Sequence, residues 1–278
     1  MKNAVVTGAG SGLGRALCVK LAGRGCRILL ADINMDGAQE TLEMVKKAGG
    51  ESEVYQCDVT KREAVEQMAR YAFDKFKRVD ILINNAGVAG AGFTGDAPLE
   101  DWHWCINIDM WGMIYGCHYF IPLMKAQGGG GYIINVASEA GLVCLPEMGP
   151  YNVAKAGVVA LSETIKTELA PHNIGVTVVC PSFFKTNLLK TMRYQNDYQK
   201  ELAETTFEHG RLTAADIAAH VMRAMDKKKL YVVPGFHAGF FWFEKRMAPE
   251  LFYRVIAFTM KNKSGEKLFL WLARHGLT

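Results

Sequence analysis

Short apolar runs rich in β-branched residues alternate along the chain with longer segments in which apolar residues recur at helical spacing. Runs that are apolar throughout, rather than at every second residue, are typical of strands buried on both faces of a sheet. The pattern predicts seven strands: Asn3–Thr7, Arg27–Asp32, Ser52–Cys57, Val79–Asn84, Tyr132–Ala137, Ile174–Cys180 and Leu230–Val233.

Helical spacing dominates the segments between these runs, over residues 12–24, 36–48, 61–77, 101–126, 151–170 and 213–226. Strands that alternate with helices predict a parallel sheet with helices on both faces, because parallel neighbours need a crossover connection. We therefore predict an α/β fold, with residues 1–235 forming a single doubly wound, Rossmann-like domain. Residues 182–210 contain no strand and are too long for an ordinary connection, which predicts a substrate loop.

Residues 236–278 differ from the rest of the chain and are predicted to form a C-terminal helical extension. They contain ten aromatic residues, and seven Lys and Arg against three Asp and Glu. The stretch that follows Pro249 has a broad apolar face and a polar one. Two interpretations stay open. The helices pack on the domain, over the substrate cleft or in a homo-oligomer, or they make a peripheral contact with an anionic membrane.

Composition and charge exclude several classes of protein. Half of the 278 residues are apolar and 22% are charged, with a net charge of +4. This charge is too small to predict nucleic-acid binding, and no apolar stretch is long enough to span a membrane. The amino terminus has no signal-peptide pattern. Seven scattered cysteines predict reduced thiols and no metal site. We expect a cytoplasmic protein, membrane-associated if the C-terminal extension binds lipid.

A glycine-rich turn joins the first predicted strand to the first helix. Glycines there allow the backbone to approach a pyrophosphate, whose charge then faces the amides of the helix amino terminus. The strict G-x-G-x-x-G spacing is absent, because leucine stands where its third glycine would be, and the glycines fit T-G-x-x-x-G-x-G instead. The candidate cofactor-binding residues of the turn are Gly8, Ser11, Gly12, Leu13 and Gly14.

Asp32 ends the second predicted strand, 18 residues after Gly14. A carboxylate at this point can accept hydrogen bonds from an adenosine ribose and would repel a 2′-phosphate. No basic residue occupies Ile33 or Asn34, and Ser11 in the glycine turn is not basic either. The sequence therefore predicts NAD as the cofactor and makes NADP the weaker candidate.

Tyr151 and Lys155 stand four residues apart at the start of a predicted helix. Residues at this spacing are neighbours on any helix, so the spacing alone is compatible with packing as well as with chemistry.

Together with the glycine turn and Asp32, this Y-x-x-x-K pair makes the chain resemble the short-chain dehydrogenase/reductase family over residues 3–233. Further segments match the family in order along the chain. The resemblance implies catalytic roles for Asn107, Ser138, Tyr151 and Lys155. It implies that Tyr151 and Lys155 also contact the cofactor, as do Asp58, Val59, Asn85, Ala86, Gly87, Pro181 and Thr186. Ser182 departs from the family, which usually has glycine at that position.

The resemblance gives the Tyr151–Lys155 pair a chemical interpretation. A free phenol has a pKa near 10 and is a poor base at neutral pH, and a nearby cation is expected to lower that pKa. The resemblance also implies that Lys155 binds the nicotinamide ribose, that Ser138 binds the substrate oxygen and that Asn107 holds a water.

The sequence thus predicts an NAD-dependent oxidoreductase that interconverts a secondary alcohol and a ketone, in a homo-oligomer such as a dimer or tetramer. Apolar residues near the tyrosine and after the sixth strand favour a small hydrophobic, lipid-like or steroid-like substrate. Two alternatives are a cofactor-binding sensor or scaffold without turnover and a nucleotide-sugar epimerase.

Overall fold

The computed structural model describes residues 1–261 and 264–276, without the side chains of Asn187 and Ser264. A seven-stranded parallel sheet forms the centre, with the strand order β3-β2-β1-β4-β5-β6-β7. The predicted doubly wound α/β fold is confirmed. The strands are β1 Asn3–Thr7, β2 Arg27–Asp32, β3 Glu51–Gln56, β4 Ile81–Asn84, β5 Gly131–Val136, β6 Ile174–Val179 and β7 Tyr231–Val232.

Helices cover both faces of the sheet. They are α1 Gly12–Ala22, α2 Met35–Lys47, α3 Arg62–Phe76, α4 Leu99–Ile106, α5 Gly112–Ala126, α6 Gly149–Glu168, α7 Asp197–Glu208, α8 Ala214–Asp226, α9 Phe236–Met247, α10 Pro249–Lys261 and α11 Ser264–Arg274. The strand residues form two apolar cores, one on each face, because successive side chains of a strand point to opposite faces. In β1, for example, Val6 belongs to one core and Val5 to the other.

The strand order reverses between β1 and β4, which neighbour each other in parallel register from Ala4 opposite Ile81 to Val6 opposite Ile83. A crevice opens beyond the carboxyl ends of the strands at such a reversal, and ligands of doubly wound sheets bind there. The glycine turn follows β1 and Asn85 follows β4. The topology therefore places the predicted cofactor residues at the reversal.

Two predicted segments differ from the structure. The helix expected over residues 101–126 is interrupted by a π-helical turn, Asn107–Trp111, which separates α4 from α5. Such turns are rare and occur frequently at functional sites. The predicted loop 182–210 contains helix α7 as well as a short 3₁₀ turn, Asn187–Lys190. Asn196 caps α7 through its side chain, which accepts a hydrogen bond from the backbone of Gln199.

The last three helices lie partly against the domain. Phe241 and Trp242 of α9 and Phe252 of α10 pack on the core of one sheet face. The Nζ of Lys245 donates to the carbonyl oxygen of Leu142 at 2.6 Å. Helix α11 packs on α7. Within the described ranges no helix is long and apolar enough to cross a membrane.

Candidate active site

The glycine turn is held against the segment that follows β4. Gly8 adopts a φ of +64°, and a Cβ there would stand 2.8 Å from the Cα of Ala86. The side-chain amide of Asn85 donates to the carbonyl oxygens of Thr7 and Gly8, at 3.0 and 3.1 Å. Only glycine combines that φ with so close an approach. The predicted residues of the two segments therefore form one site.

Helix α1 begins directly in this turn. Ser11 precedes its first turn with extended backbone angles, without a side-chain hydrogen bond to the helix, and is exposed. A Cβ on Gly12 would stand 2.8 Å from the Oγ1 of Thr186, so the hydroxyl of Thr186 lies over the helix start. Leu13 is buried in the core, so this residue can face a ligand only through its main chain.

Asp32 is fixed at the edge of the turn by two backbone amides. Its Oδ2 accepts from the amide of Gly10 at 2.7 Å and its Oδ1 from the amide of Asn34 at 2.8 Å. An ionised carboxylate has about four lone-pair sites, so two remain for hydroxyl groups of a ligand.

The guanidinium group of Arg15, in the first turn of α1, is bonded within the protein. The Nη2 of Arg15 donates to the carbonyl oxygen of Gly10 and to the Oε2 of Glu40, at 2.6 Å each.

Asp58 and Val59 follow β3 and hold the local backbone. The Oδ1 of Asp58 accepts from both the amide and the hydroxyl of Thr60, at 2.9 and 2.7 Å. Val59 packs partly buried on the core, next to Gly112. The predicted contact of these two residues with adenine stays a prediction.

These features fit a dinucleotide. The amino terminus of α1 can bind an anion through its amides, the turn permits close approach of a backbone, and the fixed carboxylate of Asp32 can receive a ribose. Gly8, Ser11, Gly12, Gly14, Asp32, Asn85, Ala86, Gly87 and Thr186 would hold such a cofactor.

Tyr151 and Ser138 line one cavity beside this crevice. Helix α6 begins at Gly149, with Pro150 in its first turn, where a missing amide proton costs nothing. Tyr151 is therefore presented from the first turn of the helix, and it is buried. The remaining walls are largely apolar, and several of their residues follow β6. They include Val143, Leu145, Met148, Pro181, Phe183, Phe184, Leu188 and Met192.

Lys155 lies one helical turn beyond Tyr151 and is buried too. Its Nζ lies 5.5 Å from the centroid of the Tyr151 ring and donates to the carbonyl oxygen of Val136 at 3.3 Å. The Oδ1 of Asp109 is 3.7 Å away and accepts from the amide of Val88 at 2.7 Å. A Cβ on Gly87 would stand 2.8 Å from this Oδ1. The absence of a side chain at Gly87 thus allows Asp109 and Lys155 to meet.

The assignment of Asn107 is corrected by this geometry. Asn107 is exposed, whereas Asp109, two residues later in the π-helical turn, is completely buried beside Lys155. Residues two apart on a helix do not share a face. The sequence did contain a signal. Asp109 is an acidic residue inside the apolar run around Ile106, Ile108 and Met110, where a carboxylate is a candidate for a buried, functional group.

The electrostatics also correct the prediction that Lys155 lowers the pKa of Tyr151. Burial raises the pKa of Tyr151 well above its ordinary value, and the charge of Asp109 raises it further, while the Ser138 hydroxyl acts in the opposite direction. Burial likewise raises the pKa of Asp109, against the opposing effect of Lys155. In this arrangement the loss of solvent, followed by the carboxylate of Asp109, determines the direction of the change in the pKa of Tyr151.

All seven cysteines are free thiols, and all except Cys144 are buried. Among the described residues no group of three or more His, Cys, Asp and Glu could hold a metal ion.

Comparison with known proteins finds a matching family model and several relatives. The model of the short chain dehydrogenase family matches residues 2–197. A protein of Mycobacterium tuberculosis named as an oxidoreductase, SadH, is 32% identical over 241 residues, covering 85% of this chain and 87% of its own length. The cyclohexanol dehydrogenase of an Acinetobacter species is 32% identical over 189 residues, 68% of this chain and 75% of its own.

A solved structure shares both the fold and part of the sequence. The short-chain dehydrogenase/reductase of Burkholderia phymatum in complex with NAD superposes with a TM-score of 0.84 at 30% identity, covering 90% of this chain and 94% of that one.

Proposed function

The chain belongs to the short-chain dehydrogenase/reductase family, and from this premise we propose that it is an NAD-dependent enzyme that interconverts a hydrophobic secondary alcohol and its ketone. Tyr151 is the general acid and base of this proposal. The observation that carries it is the cavity in which Tyr151 and Ser138 share largely apolar walls, with the buried Lys155 one turn away.

Each residue near the cavity has a distinct task in the proposed reaction. NAD held by the glycine turn and Asp32 would supply the hydride acceptor for oxidation of the alcohol carbon, and NADH would supply the hydride for reduction of the ketone. In the direction of oxidation the phenolate oxygen of Tyr151 takes the hydroxyl proton, and in reduction the phenol gives a proton to the forming alkoxide. The Ser138 hydroxyl donates to the substrate oxygen. The ammonium group of Lys155, with its Nζ 5.5 Å from the ring centroid, would stabilise the phenolate that burial and Asp109 disfavour.

The preference for NAD rests on charge at the edge of the turn. The carboxylate of Asp32 would accept hydrogen bonds from the ribose hydroxyls and repel a 2′-phosphate. Arg15 could attract that phosphate, but its guanidinium is already bonded to Glu40 and to the carbonyl oxygen of Gly10. Negative charge therefore dominates at the place expected for the 2′ position of the adenosine ribose, where NADP carries a phosphate and NAD does not.

The substrate class follows from the walls of the cavity. Apolar walls around a few polar groups are typical of sites that bind hydrophobic small molecules, and Ser138, Glu139, Tyr151 and Ser182 supply the polar groups here. The similarity to a cyclohexanol dehydrogenase supports a secondary alcohol as the reacting group.

A direct test is the formation of NADH from cyclohexanol and from larger hydrophobic secondary alcohols, measured by absorbance with NAD and NADP in parallel. We expect turnover with NAD and a much lower kcat/KM with NADP. Binding of NAD without turnover of any alcohol or ketone would contradict the proposal and favour the cofactor-binding sensor. Efficient turnover with NADP would contradict the cofactor assignment alone.

A further inference from the structure

A second cavity adjoins the one that contains Tyr151. The two cavities share four lining residues, Leu145, Met148, Phe183 and Met192. The catalytic cavity measures about 60 Å³ and the second about 100 Å³. A ligand whose reacting carbon lies at Tyr151 therefore has the larger space beyond these four side chains.

Three of the four polar side chains that line the second cavity are hydrogen-bonded within the protein, and the fourth is Tyr198. The Nε2 of Gln199, a buried residue, donates to the Oε2 of Glu147 at 2.7 Å, and the hydroxyl of Thr206 donates to the carbonyl oxygen of Leu202 at 2.6 Å. Glu147 has a φ of +61°, which is uncommon for a residue other than glycine. The interior that remains is lined mainly by aliphatic and aromatic groups.

The C-terminal extension completes the wall. Met260 of α10 and Phe269 of α11 line the second cavity opposite α7. Helix α11 is held there by polar contacts at its carboxyl end. Arg211 donates to the carbonyl oxygen of His275 at 3.0 Å, and Arg274 pairs with Glu201 of α7 at 3.4 Å. The extension thus takes part in the binding site.

We propose that the second cavity binds the distal apolar chain of the substrate, so that the enzyme acts on secondary alcohols and ketones with an extended hydrocarbon portion. This inference rests on the proposed function for the position of the reacting carbon. The binding of the chain itself depends only on the apolar walls, and it can be measured without turnover.

The test uses methyl ketones of four to ten carbons, titrated by calorimetry into the full chain with and without NAD. Once the chain reaches the second cavity, each methylene should tighten binding about fourfold, the fold change that corresponds to about 0.8 kcal/mol per buried CH₂. Leu202→Trp, which fills this cavity, should weaken binding of the ten-carbon ketone more than about tenfold and leave the four-carbon ketone within about twofold.

Leu268→Trp is the matched control, because Leu268 is exposed on α11, and it should bind both ketones like the unmodified chain.

Phe269→Ala provides a second test, since it removes part of the wall and should selectively weaken binding of the longer ketone. Thermal unfolding establishes that each variant is folded. Affinity that is independent of chain length, or equal losses for both ketones in Leu202→Trp and Phe269→Ala, would overturn the inference. Tight binding of long ketones without any reduction by NADH would instead contradict the proposed function and leave the chain-binding site intact.

Discussion

The catalytic crevice and the C-terminal helices differ in how far their side chains are exposed to solvent. Tyr151, Lys155 and Asp109 are buried. By contrast, one apolar face of α9 is exposed along its whole length, at Phe236, Phe240, Phe243 and Met247, with exposed fractions of 79%, 45%, 61% and 69%. Single exposed apolar residues are ordinary, but a continuous row is a feature of interaction surfaces.

This difference shows what fixes each region. In the crevice, backbone amides and crowded glycines determine where the functional groups lie, as the contacts of Asp32 and Gly87 demonstrate. In the extension, Trp242 and Phe252 pack against the core, whereas the exposed row of α9 does not belong to the core formed by the described residues. Substitutions in the two regions therefore show how far each depends on its own contacts.

Tyr151→Phe tests the crevice most strongly. The ring remains and only the titrating hydroxyl is lost, so we expect kcat/KM for alcohol oxidation to fall by about 10² to 10⁴, the usual contribution of general acid–base catalysis. The affinity for NAD, measured by calorimetry, should stay close to normal. A variant that keeps more than about a tenth of the activity would contradict the role of Tyr151.

Asp32 tests the cofactor edge of the same crevice. Asp32→Asn keeps an acceptor for the amide of Gly10 and removes the negative charge. Hydrogen bonds to charged groups contribute about 1.5–3 kcal/mol, so the preference for NAD over NADP should fall about 10- to 100-fold. The measurement is the ratio of kcat/KM values for the two cofactors, with Asp32→Ala as the variant that also frees the turn. An unchanged ratio would show that charge at Asp32 does not set the preference.

Asp109→Asn tests the buried ion pair. Because the charge of Asp109 raises the pKa of Tyr151, its removal should lower that pKa. Oxidation needs the phenolate, so the rising limb of kcat/KM against pH should move to lower pH. Asn107→Ala is the matched control, since Asn107 is exposed, and its pH profile should not change. A normal profile for Asp109→Asn together with loss of activity in Asn107→Ala would restore the role first given to Asn107.

The same pair of residues illustrates how much the sequence could predict. The periodicity of apolar residues predicted the sheet and its helices, because strands that are buried on both faces of a sheet are apolar throughout. Motif spacing predicted Gly8, Asp32, Tyr151 and Lys155 as site residues. These residues lie at strand and helix ends that meet at the same edge of the sheet. Asp109 was missed because a π-helical turn decides which residue of Asn107–Trp111 is buried, and such a turn has no pattern of its own in the sequence. The second cavity was missed because helices α7, α10 and α11 form it jointly with loop residues such as Leu145 and Phe183, which are far apart in the sequence.

The last and smallest effect concerns the exposed face of the extension. Leu251 and Val255 of α10, with exposed fractions of 62% and 57%, add to the row on α9, and Arg254 and Lys261 are exposed on the same helix. We expect the full chain to float with anionic liposomes at low salt and less so at high salt, because aromatic groups enter the headgroup boundary and basic residues meet anionic lipid.

Point substitutions test this binding better than removal of the extension, because Trp242 and Phe252 pack on the core and Phe269 lines the second cavity. Phe243→Ser and Leu251→Ser should each weaken liposome binding about three- to tenfold, as less apolar surface is buried in the lipid. Leu99→Ser, at an exposed residue of α4, is the matched control and should bind normally. If the full chain fails to float at low salt and light scattering shows a dimer or tetramer that Phe243→Ser dissociates, the exposed row binds a second copy of the chain and the membrane prediction is wrong.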